Sequence, residues 1–191
     1  MSDEAVERFR PTSGKVLGIL ALVLSAAVVV IGIVDRDHGF PFPVVAGALV
    51  FGVLVWSAML RPRVWVTSDR LVLRNMLDEV SIPLAAIEQV VVRQVLAVGA
   101  GEKRYVSPAV GKSWRKLRAG KDQTADPLQS YPDFVQDRIS QLAEDARAQA
   151  GVKLLSDEQL ALAAGVRRRW AWPEVVALGA SIVLFLVAVV V

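Results

Sequence analysis

The sequence has no cysteine and a single histidine, His38, among its 191 residues. Disulfide frameworks, thiolate catalysis and cysteine metal sites are therefore excluded, and one histidine does not form a multi-histidine site. The sequence also lacks a phosphate-binding loop, a serine nucleophile elbow and a helical pair of metal-ligand histidines. We therefore expect a protein that is not an enzyme and that has no cofactor and no metal.

Long apolar stretches dominate what is present. Hydrophobic residues make up 54% of the chain, and the mean hydropathy is +0.45, too apolar for an ordinary soluble domain. Residues 16–34, 44–60 and 173–191 each have the length and composition of a transmembrane helix, about 17–25 residues. A cleaved signal peptide is disfavoured for the first stretch because the sequence stays apolar beyond Ser25.

The basic residues predict the orientation of these helices. Three lysines or arginines precede the first helix, one lies in the first loop, and 18 lie between residues 61 and 174. Basic residues that flank membrane helices stay on the cytoplasmic side. We therefore expect a multi-pass plasma membrane protein whose N-terminus and residues 61–174 are cytoplasmic, and whose residues 35–43 and C-terminus are extracytoplasmic.

Arginine and tryptophan residues cluster at both ends of the internal segment, where they are typical membrane-interface anchors. The predicted anchors are Arg61, Arg63, Arg167, Arg168, Arg169, Trp170 and Trp172.

The internal segment changes to a β pattern. Alternating β-branched residues over 63–75, with a turn at Ser68-Asp69, predict a hairpin. A longer strand is predicted over 90–98, followed by a turn at 99–101 and another strand. A weaker strand candidate surrounds Trp114.

Helical spacing begins near Ser130 and predicts an amphipathic helix that ends at Gly151. An antiparallel β barrel or sandwich that is capped by this C-terminal α-helix is the predicted fold of residues 61–151. Residues 1–15 form a separate N-terminal segment, and 16–60 a transmembrane hairpin. Residues 152–172 form a juxtamembrane connector, whose short helix is capped by Ser156.

Part of this domain resembles the bacterial pleckstrin-homology-like (PH-like) domains of actinobacterial membrane proteins. The matching positions are Thr67, Asp69, residues 71–75, Ile82, Pro83 and Ile87. Arg70 stands where that family commonly has a turn glycine, and Leu84 replaces its tryptophan. The resemblance implies a bacterial protein with a seven-strand, half-open barrel and a C-terminal helix, and it implies no reaction.

Residues 102–121 carry seven bases against one acid. The candidate binding face consists of Lys103, Arg104, Lys112, Trp114, Arg115, Lys116, Arg118 and Lys121. Two interpretations stay open: a face for anionic phospholipid or an acidic protein, or a solvated strand edge. Nucleic acid is not expected as a partner because the segment lacks aromatic residues in series.

The expected function is a membrane-tethered PH-like interaction module that binds partner proteins or anionic lipid headgroups. The alternative is a small accessory subunit that stabilises a larger membrane complex. Small-residue pairs, such as Gly14 with Gly18 and Ala48 with Gly52, permit either homo-oligomer contacts or helix packing within the chain.

Overall fold

The computed structural model describes residues 7–12, 14–35, 40–112 and 131–190. The chain divides into two compact units. The first, here called the β unit, comprises Met1–Ser13 and Pro62–Arg169, and the second, the helical unit, comprises Gly14–Arg61 and Trp170–Val191. The N-terminal segment, which the sequence analysis set apart, therefore groups with the β-rich middle of the chain.

The helical unit contains three long apolar helices. They are α1 (Lys15–Val34), α2 (Phe42–Val55), which continues as a π-helical turn (Trp56–Leu60), and α5 (Trp172–Val190). All three are long and apolar enough to cross a membrane, which confirms the predicted helices, and at most 22% of any apolar window is buried within the protein. Their apolar side chains therefore point mainly outward, as a hydrocarbon solvent favours.

Small residues bring α1 and α2 together. The Ser25 hydroxyl donates a hydrogen bond of 2.6 Å to the Ala48 carbonyl, and a Cβ atom at Gly52 would lie only 2.8 Å from Ser25 Oγ. A Cβ atom at Gly18 would lie 3.1 Å from the Met59 side chain. The small residues of both helices thus serve packing within the chain, where close backbone approach needs them.

The β unit contains two antiparallel sheets. The strands are β1 (Glu7–Phe9), β2 (Arg63–Val66), β3 (Arg70–Arg74), β4 (Asp78–Pro83), β5 (Ile87–Val92), β6 (Leu96–Ala100), β7 (Lys103–Ser107) and β8 (Arg167–Trp170). The first sheet has the strand order β1–β2–β3–β4–β8 and the second has the order β5–β6–β7. The antiparallel sheets confirm the predicted fold class at this level.

The predicted turn at Ser68-Asp69 lies between β2 and β3. The Thr67 N–H donates a hydrogen bond of 2.8 Å to the Arg70 carbonyl there. The predicted long strand over 90–98 is wrong. The chain reverses at residues 93–95, so that Val90 pairs with Val98. Apolar residues on both sides of the polar pair Arg93-Gln94 made two strands resemble one.

The core of the β unit lies between the sheets and helix α3 (Tyr131–Ala150). Inward residues alternate along the strands, as Val64 and Val66 do on β2. Val135, Ile139 and Ala143 of α3 are buried at the helical spacing that the sequence predicted. Gly151 follows α3 with φ of +67°, a left-handed conformation that suits glycine after a helix.

Strand β1 was not predicted from the sequence. Phe9 enters the core, and Glu7 forms an ion pair with Arg138 of α3 at 2.9 Å. A three-residue strand carries too little periodicity to identify, and its partner β2 lies beyond the whole helical hairpin in sequence. The first sheet is therefore built from both sides of that hairpin.

Candidate functional site

The predicted basic face is only partly visible. Lys103 and Arg104 lie on β7 and are exposed, and Lys112 follows that strand. The other predicted members lie outside the described residues; they are Trp114, Arg115, Lys116, Arg118 and Lys121. Lys112 forms an ion pair with Asp133 of α3, so its charge is already engaged.

A groove of about 410 Å³ lies on the outward face of the second sheet. Its floor is the middle strand β6, where Ala97 and Gly99 have little or no side chain to fill the space. Gly99 is paired with Gln89 on one side and Arg104 on the other. The longer side chains of β5 and β7 therefore form two walls above a low floor, as the two-residue alternation of strands requires.

Three bases line this groove, which we call the basic groove: Arg93, Lys103 and Arg104. All three are exposed, and within the described part of the chain none of their side chains forms an ion pair or a hydrogen bond. Among the described residues that line the groove, Glu102 is the one acid. The groove thus carries an excess of positive charge in a concave surface, which is where a field of one sign is strongest.

The turn beside the groove is held in place. Gly101 has φ of +59°, which favours glycine, and its N–H donates to Glu88 Oε1 at 2.9 Å. Lys103 and Arg104 leave this turn directly, so their backbone position is fixed by it. Arg93 is not among the predicted site residues, although the polar pair Arg93-Gln94 inside an apolar run is a turn signal that could have identified it.

Residues 152–169 of the connector belong to the β unit. The connector helix α4 (Asp157–Ala163) is capped by Ser156, whose hydroxyl accepts from the Gln159 N–H at 3.3 Å, as predicted. The Gln159 side chain is fully buried. Its amide donates to the Ala85 and Ile87 carbonyls at 3.2 and 3.1 Å and accepts from the Leu155 N–H at 2.6 Å.

Gln159 stands three residues after Ser156, where the sequence alone indicates only a local capping box. The two carbonyls that it binds lie more than 70 residues earlier in the chain. Arg70, the residue that stands in place of the turn glycine, adds a second tie, since its Nη2 donates to the Gly165 carbonyl at 2.7 Å.

The predicted interface anchors occupy several settings. Arg63 is exposed on β2, whereas Arg167, Arg168 and Arg169 lie on β8, at the edge of the first sheet. Arg168 forms an ion pair with Asp78, a buried acid on β4.

Within the helical unit, Arg61 forms an ion pair of 2.7 Å with Glu174. Trp170 and Trp172 are 55% and 67% exposed, so both indoles are accessible for an interface role.

Metal binding finds no support in the described ranges, which contain no cluster of three or more histidine, cysteine, aspartate or glutamate residues that could hold an ion. No protein-family model, curated protein or solved structure matches the chain. The functional proposal therefore depends on the chain's own residues, foremost the basic groove.

Proposed function

We propose that the chain is a multi-pass protein of the bacterial plasma membrane that presents a PH-like module at the cytoplasmic face. The module binds the phosphate-bearing headgroup of an anionic phospholipid in the basic groove. The observation that carries this proposal is the set of three bases, Arg93, Lys103 and Arg104, around a groove whose floor is almost free of side chains. None of the three side chains is paired with another residue that the structure describes.

The strand count supports a PH-like module. Six strands, β2 to β7, and the closing helix α3 lie within the predicted domain, residues 61–151. Strand β1, which pairs with β2 from residues 7–9, brings the number to the seven that the resemblance implies. In this proposal the transmembrane hairpin is inserted between the first and second strands of the module. Strand β8 is an addition at the free edge of β4.

The membrane assignment is supported by the three apolar helices and by the distribution of bases. Charged residues inside a membrane span are costly, and α1 has its single base, Lys15, at its first residue. The 18 lysines and arginines between residues 61 and 174 favour a cytoplasmic β unit. A cytoplasmic leaflet supplies anionic lipid at high local concentration.

The chemistry of the groove favours a phosphate over an uncharged ligand. Arginine presents planar donor pairs that match phosphate oxygens, and lysine adds a point charge. Each base near an anionic surface contributes about 1 kcal/mol, so three bases provide binding that is sensitive to salt and easily reversed.

The test uses the full-length chain in detergent, since a fragment that contains only residues 61–165 would lack β1. Short-chain phosphatidylglycerol is titrated in, and backbone amide resonances of β5 to β7 are followed by NMR. We expect saturable shifts near Gly99 and Gly101 that phosphatidylcholine does not produce. The triple variant R93Q/K103Q/R104Q should bind roughly a hundredfold more weakly, since three bases contribute about 1 kcal/mol each.

A charge-matched control removes three exposed bases that neither line the groove nor belong to the predicted interface anchors: R8Q/R10Q/K153Q. This control should retain the groove shifts. Equal weakening of both variants would mean that net charge alone binds the lipid. If a protein co-purifies in stoichiometric amount with the natural chain and is lost from the triple variant, the groove is a protein-binding site. If the co-purifying protein is retained by the triple variant and is bound by the helices alone, the result favours the accessory subunit.

A further inference from the structure

A pocket of about 430 Å³ lies among the three helices of the helical unit. This volume falls within the range of small-molecule sites, roughly 300–1,000 Å³. Leu22 of α1, Val53 of α2 and Ala177 of α5 form apolar walls. The remaining lining residues are Gly52, Trp56, Ser57, Pro173 and Glu174.

Ser57 is the unusual member of this lining. Its side chain is 0% exposed, and within the described part of the chain its hydroxyl has no hydrogen-bond partner. A serine inside a helix ordinarily bonds a carbonyl one turn earlier. Ser57 instead lies in the π-helical turn, where the Arg61 N–H bonds the Trp56 carbonyl, and such turns are frequent at functional sites.

A buried hydroxyl without a partner is destabilising unless a group that enters the pocket accepts a hydrogen bond from it. The neighbouring carboxylate of Glu174 does not leave a net charge, because Arg61 Nε lies 2.7 Å from Glu174 Oε1. The pocket therefore combines apolar walls with one polar end that is electrically balanced. Such a lining suits an amphiphile with an apolar chain and an uncharged hydrogen-bond acceptor.

We propose that this pocket holds one glycerophospholipid molecule, with an acyl chain against Leu22, Val53 and Ala177 and an ester carbonyl that accepts from the Ser57 hydroxyl. This inference rests on the proposed membrane insertion of the three helices. The hydrocarbon interior offers no acceptor, and the carbonyls of a second membrane helix are already bonded internally. Lipid ester oxygens are the acceptors that remain, and they lie at the edge of the hydrocarbon.

The depth of Ser57 fits that edge. It is separated by about one helical turn from Arg61, whose charge belongs at the membrane surface. Its neighbour Trp56 is 53% exposed, and tryptophan is enriched at this level of the bilayer. Glu174 and Pro173, at the start of α5, mark the same end of the pocket.

The test is photo-cross-linking of the full-length chain in phosphatidylcholine nanodiscs that contain a trace of phosphatidylcholine with a diazirine in its acyl chain. Mass spectrometry then maps the labelled residues. We expect labelling to concentrate around Leu22, Val53 and Ala177. The variant A177W, which fills the pocket, should lower this labelling several-fold, and S57A should lower it as well.

The matched control is A180W, because Ala180 lies on the same helix, is also exposed, and does not line the pocket. It should label like the natural chain. Uniform labelling along all exposed helix faces that A177W does not change would refute the proposed lipid site and leave the proposed membrane insertion intact. A disulfide-linked dimer of A177C would overturn it in favour of a second copy. Recovery of the chain in the aqueous fraction would contradict insertion itself.

Discussion

Gln159 fastens the connector to the β unit, and its removal should loosen helix α4. The side chain is fully buried and makes three hydrogen bonds, to the Ala85 and Ile87 carbonyls and from the Leu155 N–H. Each such bond contributes about 1 kcal/mol net, and partners left buried without one are costly. We therefore expect Q159A to lower the free energy of opening of α4 by roughly 2–4 kcal/mol.

The assay is hydrogen exchange of the full-length protein in detergent, followed at the amides of residues 157–163. A loss of this size corresponds to roughly thirty- to a thousandfold faster exchange through local opening. The control is Q141A, because Gln141 is an exposed glutamine on α3 and should leave exchange within about threefold of the natural chain. Exchange in Q159A that matches this control would refute the buried clamp.

Two further variants test packing in each unit. G52L should lower the melting temperature of the helical unit in detergent, because a Cβ atom at this position would lie 2.8 Å from Ser25 Oγ. The control G179L should leave the melting temperature unchanged, because a Cβ atom at Gly179 would have nothing within 4 Å. D78A should lower the free energy of opening of β8 by roughly 1–3 kcal/mol, because it removes the buried partner of Arg168. Exchange at residues 167–169 measures this release, and E79A, which breaks only a surface pair, should cost less than about 1 kcal/mol. Equal effects of variant and control in either pair would contradict the packing described.

Strong periodic signals explain which parts of the fold could be predicted from the sequence. The apolar helices and α3 show long, uniform patterns, so their positions were found within a few residues. The hairpin at Ser68-Asp69 and the end of α3 at Gly151 carry turn and cap chemistry that acts over four or five residues. These features depend on neighbours in the chain, which a sequence displays directly.

Features that depend on distant partners were missed. Strand β1 is stabilised by Phe9 in a core whose other members come after the helical hairpin. Strand β8 is a run of arginines that resembles a membrane stop, and its pairing with β4 is specified partly by Asp78.

The candidate site shows the same limit. Lys103 and Arg104 were identified because the charge run around them is local. Arg93 joins them only because the chain reverses at residues 93–95 and brings β5 and β7 to either side of β6. Ala97 and Gly99 form the floor of a groove because longer side chains of β5 and β7 flank them. Predicting the groove therefore requires knowing which strands lie on either side of β6.

We propose that the three apolar helices place the β unit on the cytoplasmic side of the membrane. Because the chain has no cysteine, a single introduced thiol reports its own location. Intact bacterial cells that express K103C or H38C are treated with a membrane-impermeant maleimide. We expect labelling of H38C in intact cells, and labelling of K103C only after the membrane is permeabilised. Labelling of K103C in intact cells would contradict a cytoplasmic β unit.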